Sequence, residues 1–319
     1  MEEEKEDRFH ADPLLPALLN HEQEDYFALG LIVNWPVRSS HDGIGNCWHQ
    51  HYASFLDEVK RECFSISGGD GNGDGVYFLP LYSLHITVAT LFSATRISEL
   101  PPSTTVNTDS VKNDKVRQSL EWRATLVEEW KQVVIHASTM DDWPHQQSIK
   151  LRLESARIAP RAGILLWKVV HDHDETRSGM ERIRSCLRQS VQMLHPRLQQ
   201  YMRIPDIIHT TFLRYHHSLP ANGYRPSRLH QILRDNTVPT HPLFGNGHID
   251  QTQTSTSQYT VTIDNVKLVN CKIYLQGTDD DHPVYLTMPV GPTTENRFPG
   301  HVLVETDTST NYEETKVTS

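Results

Sequence analysis

Two short segments of this 319-residue chain carry the same side-chain pattern, Leu84-His85-Ile86-Thr87-Val88 and Ile208-His209-Thr210-Thr211-Phe212. Each sets an imidazole and a hydroxyl two residues apart inside an apolar, β-branched run. In a strand, residues i and i+2 share a face. His85 then stands beside Thr87, and His209 beside Thr211. Histidine titrates near neutral pH and serves as base or acid. A threonine hydroxyl can donate to a non-bridging phosphate oxygen. Two such units facing each other supply a base on one side of a phosphorus atom and an acid on the other. Their two hydroxyls would steady the charge that grows on the equatorial oxygens. That set suffices to open or close a phosphodiester without a metal ion. Which histidine is the base depends on which bridging oxygen leaves, and the sequence leaves that open.

The chain has 19 histidines, so chance matches are expected. Two occur, at His136-Ala137-Ser138 and His216-His217-Ser218. The first ends an expected helix and the second abuts Leu219-Pro220 at a strand end. Only the segments around His85 and His209 lie inside expected strands with apolar residues on both sides. Singly, either histidine reads as a structural residue; the matched pair carries the functional reading. Asp70-Gly71-Asn72-Gly73-Asp74-Gly75 resembles the start of a calcium loop, but its twelfth position is Leu81 and a strand follows where a helix is required. His171-Asp172-His173-Asp174 and His49-Gln50-His51 lack a convincing third ligand. No metal and no cofactor is therefore expected. No glycine-rich phosphate loop, nucleophile elbow or thiol-enzyme pair is present.

The elements that must position these residues follow from periodicity and breakers. Strands are expected over 26–35, most of 77–91, 149–158, 163–170, 206–215, 259–263, 266–275 and 284–290. Helices are expected over 48–63, 119–135 and 176–201, the last interrupted near Pro196, with a short one near 226–235. Residues 68–75 read as a turn, 98–116 as a mobile insertion rich in Ser, Thr, Pro, Asn and Asp, and 217–256 as largely loop. Strands and helices mix without a regular βαβ beat, which favours α+β over a doubly wound parallel sheet.

The pair of segments resembles the signature of the 2H phosphoesterase superfamily, two H-x-[ST]-x motifs with one in each lobe. Its members include bacterial RNA 2′,3′-cyclic phosphodiesterases, also called 2′–5′ RNA ligases, and plant-type cyclic nucleotide phosphodiesterases. His209-Thr210-Thr211-Phe212-Leu213-Arg214 resembles the H-x-T-L-x-R form of the second motif, with Phe212 in place of the commoner Leu or Ile. The strand ending at Pro36, and the strands over 259–275 and 284–288, resemble that family's first and closing strands, so the likeness covers about residues 26–290. The separation of His85 from His209 is longer than in compact members. The resemblance implies a bilobal α+β fold with two antiparallel sheets around a central cleft and helices outside. It implies metal-independent catalysis on cyclic phosphates or RNA ends, with His85 and His209 as the acid/base pair and Thr87 and Thr211 as phosphate donors. Arg214 is then an extra anion contact or a surface salt bridge. Tyr82, Phe92 and Tyr215 are candidates to stack on a base, or else core residues.

Composition bounds the rest. The net charge of −10 gathers at the ends, with nine acids against Lys5 and Arg8 in residues 1–25, and five against Arg297 and Lys316 in 291–319. The span between is neutral, which argues against a long phosphate-tracking surface for duplex nucleic acid. It suits a small nucleotide or an RNA-terminal cyclic phosphate. The expected organisation is an acidic, disordered tail over 1–20, one domain over 21–290 and a disordered tail over 291–319. An acidic start and no long apolar run imply neither a targeting segment nor a membrane partner. Four scattered cysteines, Cys47, Cys63, Cys186 and Cys271, read as reduced thiols of a cytoplasmic or nuclear monomer. Three readings result: a 2H-like hydrolase or ligase, a non-catalytic module of the same fold that grips a nucleotide or RNA end, and, most weakly, a metal-dependent hydrolase built on the clustered histidines.

Overall fold

The computed structural model describes residues 10–20, 22, 26–34, 52–57, 59, 76–100, 113–159, 161–170, 177–215, 260–271 and 284–291. These form a mixed α+β fold, as the order of strands and helices implied, with two antiparallel sheets, as the resemblance implied. The strands are β1 (Tyr26–Asn34), β2 (Val76–Phe78), β3 (His85–Arg96), β4 (Ile149–Ala159), β5 (Ala162–Val170), β6 (Ile208–Tyr215), β7 (Thr260–Ile263), β8 (Asn265–Asn270) and β9 (Val284–Pro289). One sheet runs β3-β1-β8-β9 and the other β2-β6-β5-β4-β7. The two histidine-bearing segments thus fall on different sheets, one on β3 and one on β6.

The helices are α1 (Leu15–Leu19), α2 (Asn113–Ser138) and α3 (Gly179–Leu194). Residues 52–57 and 59 are helical too. Helix α3 begins at a capping box, in which the Ser178 hydroxyl accepts from the Glu181 amide and the Glu181 carboxylate accepts from the Ser178 amide. It ends before Pro196, where the chain continues as a 3-10 turn over Pro196–Gln200. Helices α2 and α3 pack together. The Ser190 hydroxyl donates to the Val133 carbonyl at 2.9 Å, so His136 must donate from Nδ1 to that same hydroxyl at 2.7 Å. This look-alike histidine is committed to helix packing. No helix among the described residues is long and apolar enough to cross a membrane.

One core spans both sheets and both long helices. Leu31, Ile86, Val88 and Leu268 from the first sheet meet Leu151, Leu165 and Phe212 from the second. Trp130, Val133 and Val134 of α2, with Ile183, Leu187 and Val191 of α3, complete it. Burial of each such side chain stabilises by about 1.5–3 kcal/mol.

Three expectations need correction. The strand expected over most of 77–91 is broken. Pro80, which has no amide hydrogen to give a ladder, precedes a 3-10 turn over Leu81–Ser83 that carries the chain from β2 in one sheet to β3 in the other. Helix α2 starts at Asn113, inside the stretch expected to be an insertion, of which residues 101–112 lie outside the described residues. Residues 10–20 are not a solvated tail. Leu15 and Ala17 are buried against Tyr26, and the Asp12 amide donates to the Tyr215 carbonyl at 2.9 Å. The acidic residues before them set the charge, but these apolar side chains decide the packing. The glycine-rich turn, the His49 and His171 clusters, the 217–256 stretch and residues 292–319 lie outside the described residues.

Candidate functional site

His85 opens β3, directly after the 3-10 turn that contains Tyr82. It pairs in register with Asn34, and Thr87 with Ile32. Ile86 and Val88 between and after them are fully buried, while His85 and Thr87 keep partial exposure. His209 and Thr211 repeat this on β6 opposite Leu166 and Ile164, with Thr210 and Phe212 fully buried. The Thr210 hydroxyl is fixed on the core side by the Trp167 indole, which donates to it at 3.1 Å. Each strand therefore turns its histidine and threonine the same way and its alternate residues into the core, as the period of two requires.

Both strands bulge at the same point. Thr87 pairs with Ile32 and Ala89 with Leu31, so Val88 is an extra residue on β3. Thr211 pairs with Ile164 and Leu213 with Gly163, so Phe212 is extra on β6. A bulge sets two successive residues against one on the neighbouring strand and re-aims the side chains beyond it. Val88 and Ala89 are both buried, as are Phe212 and Leu213. Alternation then resumes with Thr90 and Arg214 on the faces of the motif residues. Gly163 accommodates the second bulge, because a Cβ there would lie 2.8 Å from the Phe212 ring and 2.9 Å from Leu213 Cβ. Phe55 packs edge-on against Phe212 with ring centroids 5.4 Å apart.

The two histidines are held differently. His85 Nδ1 lies 2.9 Å from the Ser83 carbonyl, two residues earlier. A carbonyl only accepts, so Nδ1 carries hydrogen and the lone pair of the neutral ring is on Nε2. His209 Nδ1 is buried and has no hydrogen bond of good geometry to any described residue. Burial drives the His209 pKa below its ordinary value; the nearby Ile207 carbonyl opposes this, and the positive charges of Arg214 and Arg184 add to it. Burial therefore favours the neutral form of His209.

Arg214 is paired. Its Nη1 lies 3.2 Å from Asp12 Oδ2, and Asp12 is almost fully buried. The N-terminal segment thus supplies a carboxylate to the strand that carries the second motif. Arg184 of α3, which the motif reading passed over, touches both motif strands. It donates from Nε to the Val88 carbonyl at 3.2 Å, and from Nη2 to the Thr87 and Ile207 carbonyls at 3.5 and 3.3 Å. A signal was present in the sequence, since Arg184 falls four residues after Met180 and three before Leu187, on the apolar stripe of its helix. Main-chain bonds between Thr90 and Arg203, 2.8 Å in each direction, also tie β3 to the segment leading into β6.

Two of the three aromatic candidates take the core alternative. Tyr215 is 2% exposed, because the bulge at Phe212 shifts the alternation and turns residue 215 to the core. Phe92 is buried against Phe27, Trp122 and Tyr201. Neither offers a face for a base to stack on. Among the described residues no group of three His, Cys, Asp or Glu is placed to hold a metal ion. The arrangement can offer one neutral imidazole, one imidazole oriented through Nδ1, two hydroxyls and a guanidinium.

No protein-family model matches the chain, and no curated protein matches it. Among solved structures, similar ones include TT0787 of Thermus thermophilus, with 12% identity over 84% of this chain and 100% of that chain, at a TM-score of 0.40. E. coli LigT complexed with ATP has 11% identity over 83% of this chain and 99% of its own, at 0.38. E. coli LigT complexed with 3′-AMP has 10% identity over the same shares, at 0.39. These are likenesses in the course of the chain, and no residue takes its role from them.

Proposed function

We propose that this protein is a metal-independent phosphoesterase that opens a 2′,3′-cyclic phosphate, on a nucleotide or an RNA end, by two-histidine acid/base catalysis. The observation that carries the proposal is the repetition, on two strands of different sheets, of a histidine and a threonine on one face followed by a bulge directly after the threonine. His209, kept neutral by burial, takes a proton from water as the water oxygen bonds to phosphorus. His85, protonated and steadied at Nδ1 by the Ser83 carbonyl, gives its Nε2 proton to the departing ribose oxygen as that P–O bond breaks. Thr87 and Thr211 donate to the non-bridging oxygens, and Arg214 supplies positive charge on the His209 side. With an RNA 5′-hydroxyl in place of water, the same attack, with the same ribose oxygen leaving, would join ends.

The test uses the purified full chain with 2′,3′-cyclic nucleotides, with and without EDTA, beside His85→Ala and His209→Ala. Turnover should survive EDTA and fall by about 10²–10⁴-fold in each variant, the usual contribution of a general acid or base. Nucleotide binding without turnover would point to a non-catalytic module instead. Turnover abolished by EDTA would point to a metal-dependent hydrolase.

A further inference from the structure

Arg184 occupies an unusual place for a cation. It is 5% exposed, on the core face of α3 between Ile183 and Leu187, and no carboxylate among the described residues forms an ion pair with it. A buried guanidinium carries a large desolvation cost unless its hydrogens are taken up. Here they go to main-chain carbonyls of two separate strands. Nε takes Val88 O, the bulge residue of β3, while Nη2 takes both Thr87 O on β3 and Ile207 O at the entry to β6. The Thr87 and Ile207 oxygens share one nitrogen, at 3.5 and 3.3 Å, so they can be no farther apart than those two distances combined.

The guanidinium also sets an asymmetry between the halves. The carbonyl two residues before His85, that of Ser83, lies at hydrogen-bond distance from the ring Nδ1. The carbonyl two residues before His209, that of Ile207, is held by Arg184, and His209 Nδ1 has no well-aligned partner among the described residues. We infer that Arg184 is a positioning residue that fixes the spacing of the two histidine-threonine elements and, by engaging the Ile207 carbonyl, sets the strand entry from which His209 projects. Its catalytic consequence rests on the phosphoesterase reading above; its structural one does not. A planar fork suits this task because its donors diverge at fixed angles toward acceptors on both strands. A lysine ammonium is a single centre: it could meet the Thr87 and Ile207 oxygens but would leave the Val88 carbonyl at the bulge without its donor. Among the described residues, the charges facing Arg184 are Arg188, Glu181 and Asp206, and those facing His209 are Arg214 and Arg184 itself.

Arg184→Lys and Arg184→Met are compared with the native chain. With histidine-labelled protein, the His209 ring, assigned through His209→Gln, is titrated by NMR in the absence of substrate. Arg184→Met should move the His209 titration upward toward the ordinary histidine value, because a positive neighbour is gone. Arg184→Lys, which keeps the charge, should move it less. Turnover of a 2′,3′-cyclic nucleotide should fall in kcat by roughly 10- to 100-fold in both variants with KM little changed, the effect expected of misplaced reacting groups. A purely structural arginine would lower the urea midpoint while leaving the titration, and kcat per folded molecule, where they were. An unmoved His209 in a folded Arg184→Met chain overturns the inference, and should that variant not fold, a native kcat in Arg184→Lys does so. If the native chain itself shows no turnover, the phosphoesterase reading falls and the titration alone judges Arg184.

Discussion

Asp12 links the stability of the N-terminal segment to the charge of the candidate site. Its carboxylate does two things: Oδ1 accepts from the Leu14 amide at 2.9 Å, closing a local turn, and Oδ2 meets Arg214 Nη1 at 3.2 Å. Asp12→Asn keeps an acceptor for Leu14 but removes the charge. Hydrogen bonds to charged groups contribute about 1.5–3 kcal/mol, and breaking a fully buried pair costs about 3–5 kcal/mol. The Arg214 side chain is 24% exposed, so water recovers part of the loss. Asp12→Asn should therefore cost about 2 kcal/mol, and Asp12→Ala about 1 kcal/mol more, because the Leu14 amide also loses its acceptor. Urea denaturation of both variants reads these values.

Binding should move in the opposite direction. With the Asp12 carboxylate neutralised, the strand face that carries His209, Thr211 and Arg214 gains net positive charge. Affinity for inorganic phosphate, read by calorimetry, should rise several-fold in Asp12→Asn even as the protein loses stability. Unchanged stability in both variants would refute the view of a built ion pair. Lower stability with phosphate binding unchanged or weaker would remove Arg214 from the anion contacts.

Two further perturbations test the strands and the histidine. Gly163→Ala should destabilise by about 1–3 kcal/mol, the usual cost of overpacking, since the added methyl meets the fully buried Phe212 and Leu213. Turnover should fall with it if the bulge aims Thr211, and a native urea midpoint would show that the close approach is not a constraint. The depressed pKa of His209 has two signatures. As pH falls through the ordinary histidine value of about 6.5, the unfolded chain takes up a proton there that the folded chain refuses, so stability drops until the folded pKa is passed. His209→Gln lacks this contribution, and the stability of the native chain relative to that variant should decline on acidification. In parallel the acid limb of kcat/KM should lie below 6.5; a limb above it would contradict a neutral His209 as the base.

How much of this was readable beforehand depended on range in sequence. The alternation of His85 with Ile86 and of His209 with Thr210 is local, and it placed both motifs on strands and faced their polar residues one way. The break at Pro196 and the closing strands were equally local, and β6 was placed to within two residues of its start. Asp12 and Arg214 are far apart in the chain, and in a run of acids Asp12 has no local mark of burial. The break at Pro80 was masked by the apolar, β-branched residues around it. Tyr215 is an aromatic next to the motif, so the sequence allows either stacking or the core, and nothing local announces that Phe212 is an unpaired extra that turns residue 215 inward. Gly163, on the neighbouring strand, is the residue that admits the bulge, and its pairing to Leu213 emerges only in the folded sheet.

The bulges explain why the two halves, alike in motif, are unlike in electrostatics. Without them, residues 90 and 214 would turn to the core with Val88 and Phe212; with them, each becomes the third side chain on its motif face. On β3 that residue is Thr90, a neutral hydroxyl whose main chain is tied to Arg203. On β6 it is Arg214, a cation moderated by Asp12. Arg184 sharpens the difference by holding the carbonyl before His209, while its counterpart before His85 remains with that ring. Burial, with the positive charges of Arg214 and Arg184, lowers the proton affinity of His209, while His85 rests at Nδ1 on the Ser83 carbonyl. A pair of histidines related by a perfect two-fold would share one proton affinity. On the mechanism proposed above, the departures from symmetry at residues 90, 184 and 214 set the base apart from the acid.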